Sequence, residues 1–271
     1  LQTGKAGIRP GEDGSSAGDE KDRAVERNGA LGPLVLAGSG EYTPAMDIVD
    51  RYLLERAAGR PVLLIATSCA QEGEERMRWW EQLGVDHFKR LGVAAVPLHI
   101  RDRADADRAE FADQIREAGL IWFSGGSPVY LAQAFHETLS WEALEAANRA
   151  GAAVAGASGG LGVLNAHVQS PDPSAPPGPT ALGLASPIRA IAHFDRAEAR
   201  RPEFIERIVS SLQPGQVAVG VDEDTAVVWS DGGWRVMGHK RAVVFKGEER
   251  IVFRHDDVLD LLPPPSRISP S

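Results

Sequence analysis

Gly156-Ala157-Ser158-Gly159-Gly160 is the segment of this chain whose residue types and order could most directly do chemistry. It follows an apolar run, Ala152 to Ala155, and precedes a helix-like stretch, Leu161 to His167. A serine on a sharp turn between strand and helix lifts its Oγ clear of a sheet. Only small neighbours fit so crowded a backbone. The N–H of Gly159 would share the direction of the helix amino end and so face developing negative charge. The plainer alternative is a Gly-rich turn in which Ser158 only caps the helix.

A serine needs a base, and the chain has seven histidines. His87 and His99 flank the expected third strand, His136 sits on a polar helix face, His167 ends the helix after Ser158, and His239 and His255 lie in the C-terminal runs and the approach to the tail. His193 closes the run Ile188 to Ala192, which places it at a strand end in the layer expected for Ser158. An acid would then hold the imidazole in one tautomer. Asp222-Glu223-Asp224 ends the run Val217 to Val221, and alternation would turn Glu223 away from Asp222 and Asp224. A second glycine pair, in Ser124-Gly125-Gly126-Ser127-Pro128, follows an apolar run and could supply another oxyanion donor. Gly38-Ser39-Gly40-Glu41 lacks the spacing of a phosphate loop, and Cys69 has no base beside it, so neither is given a role. No Cys/His cluster has zinc spacing, and neither metal nor cofactor is expected.

The elements that must position these groups alternate regularly from Pro33 onward. Strands are expected at Leu34 to Ala37, Val62 to Ala66, Val93 to Leu98, Leu120 to Phe123 and Ala152 to Ala155. Helices are expected at Pro44 to Ala58, Glu74 to Leu91, Asp105 to Ala118, Pro128 to Thr138 and Trp141 to Ala150. Apolar strands separated by helices predict an α/β fold with a mostly parallel sheet covered on both faces, its chemistry at the carboxyl ends of the strands. Beyond Gln169 to Thr180, a Pro-rich loop or lid, a strand is expected at Ile188 to His193 and a helix at Pro202 to Leu212. Runs at 217–222, 225–229, 234–237 and 242–245, the middle pair joined by Asp231-Gly232-Gly233, predict a C-terminal β-meander that either extends the sheet or forms its own layer.

Composition bounds the rest. The 271 residues are 43% hydrophobic and 25% charged, which excludes wholesale disorder, and the net charge of −9 offers no general field for nucleic acid or anionic lipid. No apolar stretch reaches the ~20 residues of a membrane span, and the first residues lack the apolar core of a signal peptide. The single cysteine fits a reducing, cytoplasmic setting. Residues 1–30 and 263–271 read as disordered tails, leaving 31–262 as a single α/β domain.

Four blocks, in order, carry a family resemblance. Gly156-Ala157-Ser158-Gly159-Gly160 resembles the G-T-S-A-G turn of the peptidase E and cyanophycinase serine peptidases, which share a class I glutamine amidotransferase-like fold. Trp122-Phe123-Ser124-Gly125-Gly126 is similar to their apolar-x-G-G turn, Ile191-Ala192-His193-Phe194 to their H-F block, and Gly220-Val221-Asp222-Glu223-Asp224-Thr225-Ala226 to their G-I-D-E-x-T-A block. The resemblance spans roughly 33–246 and implies Ser158 as nucleophile, His193 as base, Glu223 as orienting acid, and Gly126 and Gly159 as the oxyanion hole. It implies a small peptide or amide as substrate, cleaved through an acyl-enzyme, and leaves a homo-oligomer open. The order Ser, His, Glu differs from the Ser, acid, His order of an α/β-hydrolase, which would use Asp222 or Asp224 with His239 or His255. Cyanophycinases carry D-Q before the H-F pair and spaced arginines after it. Here Ile191-Ala192 replaces the first, Arg200 and Arg201 are displaced, and Ser127-Pro128 follows the glycine pair. Ser127 and Arg200 are the substrate-binding candidates, and the aspartate-arginine polymer is not carried over as substrate. These departures also motivate an alternative, an amidotransferase-like domain that binds a small ligand or regulates without chemistry.

Overall fold

The computed structural model describes residues 31–169, 178–247 and 249–265. The expected amino-terminal tail and most of the Pro-rich segment lie outside the described residues. Of the expected C-terminal tail, 263–265 are described, and the Pro263 carbonyl accepts the indole N–H of Trp234 at 2.8 Å.

The central sheet has seven strands in the order β3-β2-β4-β5-β1-β8-β9. Five are mutually parallel: β1 (Leu34–Ala37), β2 (Val62–Ile65), β3 (Ala95–Pro97), β4 (Leu120–Phe123) and β5 (Ala153–Ala157). β1, β2, β4 and β5 are buried at every position, because helices cover both faces and no side chain can turn to water. Period-two alternation divides their side chains between two cores. Leu36, Leu63, Ile121 and Val154 face one, with Ile115, Leu144 and Phe135 from helices Ala109–Glu117, Leu139–Arg149 and Pro128–Phe135. Val35, Leu64, Trp122 and Ala155 face the other, with Leu53 and Phe88 from helices Asp47–Ala57 and Glu74–Arg90.

The later strands divide between two sheets. β6 (Ile188–Ile191) and β7 (Val217–Val221) are parallel neighbours in a four-stranded sheet of order β11-β10-β7-β6, completed by antiparallel β10 (Arg241–Lys246) and β11 (Glu249–Arg254). The hairpin β8 (Thr225–Ser230) and β9 (Gly233–Gly238) joins the central sheet, antiparallel to β1. The expected meander therefore does both things: it extends one sheet and builds a second. Hydrophobic runs report burial, and burial alone does not say which sheet a strand enters.

Other boundaries shift for local reasons. The helix expected from Asp105 to Ala118 is two, Arg103–Ala106 and Ala109–Glu117, the first capped by Asp102 accepting from the Asp105 N–H. The strand expected to reach His193 ends at Ile191, and a helix at Phe194–Arg200, not foreseen in the sequence, begins directly after His193.

Candidate active site

Ser158 follows β5, the middle strand of the central sheet, and directly precedes the helix Gly159–Leu164 without a side-chain hydrogen bond to its amino end. Its φ of 52° and ψ of −112° are uncommon for a residue with a Cβ, and they are held because the surrounding backbone is packed without slack. A Cβ on Gly159 would lie 2.2 Å from the Gly126 carbonyl oxygen, so the turn after β4 closes on the Ser158 turn only because that position is glycine. Gly126 itself has φ of 140°, which a residue with a Cβ rarely adopts.

His193 and Glu223 come from the second sheet. β6 and β7 are parallel with Ile191 opposite Gly220, so the residues that follow them emerge at the same end of that sheet. His193 Nε2 lies 2.7 Å from Ser158 Oγ, and His193 Nδ1 lies 2.7 Å from Glu223 Oε1. The strand alternation assumed for the acidic triplet does not extend so far, since β7 ends at Val221. Asp222 is buried and receives a hydrogen bond from Arg241, Glu223 faces His193, and Asp224 takes a left-handed conformation beside Lys240.

The helix that carries His193 is pinned by ion pairs. Lys240 donates to Asp195 at 2.8 Å, and Arg241 and Arg250 both donate to Glu198. Burial opposes ionisation of Asp195, but the Lys240 ammonium and the Glu223 N–H outweigh it and hold the carboxyl below its usual range. The Arg250 and Arg241 guanidiniums hold Glu198 low in the same way. Asp222 goes the other way: burial pushes it up despite Arg241.

Ser158 and His193 line a cavity of about 500 Å³. Leu161, Ile191 and Phe204 give it apolar walls, and Arg196, Arg200 and Arg201 give it a cationic side. Arg196 also pairs with Glu223 at 3.0 Å, whereas Arg200 and Arg201 have no carboxylate partner among the described residues. Gln169, at the near end of the Pro-rich segment, belongs to the lining. Ser127 stands outside it: its hydroxyl caps the next helix by accepting from the Tyr130 N–H, and its own N–H goes to the Ser68 carbonyl. Three of the remaining histidines lie in other networks. His87 is bonded to buried Asp50, His99 to Glu81, and His255 accepts from the Gly238 N–H. Cys69 is buried, donates to the Ala66 carbonyl and has its thiol pushed up to about 11 by burial.

Some residues at this site were given no role from the sequence. Glu41 is 5% exposed, accepts the Gly125 N–H at 2.9 Å, and has its carboxyl pushed up by burial. The Ser68 hydroxyl lies 2.9 Å and 2.6 Å from the carbonyls of Ser124 and Gly125. The one available signal was position: both follow the carboxyl ends of parallel strands, and Glu41 stands beside glycines there. No group of His, Cys, Asp and Glu among the described residues could hold a metal ion. No helix among them is long and apolar enough to cross a membrane.

A mostly parallel sheet covered by helices has the amidotransferase-like architecture, and the serine after its middle strand is in hydrogen-bond contact with a histidine that in turn meets a carboxylate, both following strands of the second sheet, the set of groups found in serine-type hydrolases. The profile of peptidase family S51 matches residues 34–237, and the chain belongs to that family and is a serine-type peptidase. It is similar to the cyanophycinase of Trichormus variabilis, with 23% identity over 220 residues, 76% of this chain and 70% of that one. With the cyanophycinase of Synechococcus elongatus the identity is 29% over 224 residues, 76% of this chain and 65% of that one. Among solved structures, a peptidase from an acI-B1 actinobacterium superposes with a TM-score of 0.79 at 32% identity, over 87% of this chain and 99% of that one. A Listeria monocytogenes EGD-e protein, at 19% identity and a TM-score of 0.52, covers 83% of this chain and 99% of its own and shares the fold.

Proposed function

We propose that the protein hydrolyses small peptides or amides bearing an anionic group, through an acyl-enzyme on Ser158. The observation that carries this reading is the unbroken chain of 2.7 Å contacts from Ser158 Oγ through His193 to Glu223 at the wall of a cavity. In this mechanism Ser158 Oγ–H donates to His193 Nε2, and His193 Nδ1–H donates to Glu223. As Oγ attacks the carbonyl, its proton passes to Nε2, and Glu223 stabilises the imidazolium. The N–H groups of Gly126 and Gly159 have no acceptor among the described residues and are free to receive the oxyanion. The imidazolium then protonates the leaving amine, and water, activated by the same histidine, releases the acid. A histidine bonded to both partners favours this over the non-catalytic ligand-binding alternative.

The three arginines favour a substrate that presents a carboxylate to the cavity. Relatives are named cyanophycinases, but Ile191-Ala192 and the arginine spacing of this chain direct the reading to short acidic peptides. Incubation with a fluorophosphonate should label Ser158, and Ser158→Ala should abolish labelling. Across a dipeptide panel, acidic substrates should show higher kcat/KM than basic ones. His193→Ala should lose on the order of 10⁶ in kcat and Glu223→Gln on the order of 10⁴. Equal inactivity of wild type and Ser158→Ala on every peptide, with Ser158 unlabelled, would sink the mechanism. A preference for basic peptides would sink the substrate class alone.

A further inference from the structure

The end of β1 touches every segment of the site in turn. The Ala37 carbonyl accepts from the Ser158 N–H at 3.2 Å, Gly38 from the His193 N–H at 3.2 Å, and Ser39 from the Asp224 N–H at 3.1 Å, next to Glu223. The strap then crosses above β5, because β1 and β4 flank it on opposite sides. Glu41 receives the Gly125 N–H, and the Tyr42 hydroxyl bonds that of Ser124 at 3.0 Å. The first three of these contacts use main chain. The contact to the glycine turn is made through a buried carboxyl.

An accounting of the glycine turn shows what that carboxyl does. Of three successive amides, Gly125 N–H goes to Glu41 and Ser127 N–H to the Ser68 carbonyl at 2.7 Å. The Ser68 hydroxyl holds the carbonyls of Ser124 and Gly125 from the opposite side. The Gly126 N–H between them is left without an acceptor among the described residues. A peptide plane fixed by bonds on both flanks has little freedom to rotate, so its N–H direction is set before substrate arrives.

We propose that Glu41 is a positioning residue for catalysis, which aims the Gly126 N–H at the oxyanion by accepting the Gly125 N–H. The proposal rests on the reading of Gly126 as an oxyanion donor. The oxygen of Glu41 does the work, and its charge does not: a full negative charge beside a developing oxyanion would oppose the reaction. Burial pushes the Glu41 carboxyl up, toward its neutral form, although the neighbouring His193 and the backbone N–H groups act against that. An uncharged isostere with the same acceptor should therefore serve in its place.

The test compares Glu41→Gln, Glu41→Met and Glu41→Asp by the second-order rate of fluorophosphonate labelling at Ser158, with folding checked by thermal denaturation. Met fills the space without an acceptor, and Asp keeps the carboxyl group but withdraws its oxygen by one methylene. Loss of one oxyanion donor costs about 10²–10³ in rate. Met and Asp should each lose at least about tenfold, and Gln should recover to within about threefold of wild type. On any cleaved peptide, the Met and Asp losses should fall on kcat with KM little changed. A folded Met or Asp variant that labels at the wild-type rate overturns the proposal, and so does a Gln variant as slow as Met. If Met fails to fold, Asp decides. A wild-type protein whose Ser158 is never labelled removes the oxyanion reading, and the proposal falls with it.

Discussion

Gly159 occupies the place where the G-T-S-A-G motif carries alanine, and its surroundings explain why glycine is the fitting residue in this chain. A Cβ there would meet the Gly126 carbonyl oxygen at 2.2 Å, far inside van der Waals contact, so one of the two turns would have to move. Gly159→Ala is therefore expected to keep the fold and to lower the labelling rate of Ser158 by about tenfold or more, because a displaced Gly126 no longer aims its N–H. A rate equal to wild type would mean the turns separate without consequence. From the sequence the same change looks neutral, since both residues keep the donor at that position. The clash arises from a carbonyl 33 positions earlier in the chain, which no local reading contains. Ser158 was legible for the opposite reason, because its strand-turn-helix setting is local.

The helix Phe194–Arg200 shows how an element carries the site. It starts at His193, which is held in a left-handed conformation with φ of 49°, and it is fastened to the second sheet by Asp195 to Lys240 and by Glu198 to Arg241 and Arg250. Both carboxyls are held below their usual range. A carboxyl with a lowered folded pKa contributes stability above its unfolded value, near 4, and loses it as the pH falls through the folded value. Wild type should therefore be more stable than Glu198→Gln at pH 7, with the difference closing in more acidic buffer below about pH 4. Urea denaturation of both proteins at several pH values reads this directly, and a gap that widens on acidification would refute it. The sequence did not announce this helix, since the apolar run before it reads as one strand through His193. The hydrogen bonds of β6 end two residues sooner, at the edge of the partner strand.

Across the molecule, the layer on the Trp122 face of the central sheet is held by a buried polar junction. Asp50, fully buried, accepts from the Trp122 indole at 2.8 Å and lies 2.8 Å from His87 Nε2, so it ties helices Asp47–Ala57 and Glu74–Arg90 to β4. Burial pushes its carboxyl up despite both partners. Asp50→Ala leaves two buried groups without a partner, at about 1–3 kcal/mol each. The melting temperature should fall by roughly 4–24 °C, given 2–4 °C per kcal/mol for a domain of this size. The junction lies beneath the sheet and away from the cavity, so Ser158 labelling at 25 °C should persist. Calorimetry and labelling on the same preparation separate the two effects, and an unchanged melting temperature would remove Asp50 from the structural account.

What the sequence determined by itself was whatever short-range chemistry encodes. The apolar runs of β1, β2, β4 and β5 mark strands buried on both faces, and a parallel sheet of that kind puts its reactive ends at one edge. Ser158 stands at such an end, His193 and Glu223 each close an apolar run of their own, and their order in four matched blocks pointed to the family. The tertiary structure decided how strands from two different sheets meet. β6 and β7 had to lie parallel in one sheet, and β8 had to cross into the other, before Glu223 could face His193 and His193 could face Ser158. It also placed Glu41 against Gly125, 84 residues away. Strand pairing between distant segments depends on the packing of the whole core, and the residues that happen to be neighbours in three dimensions leave no periodicity along the chain.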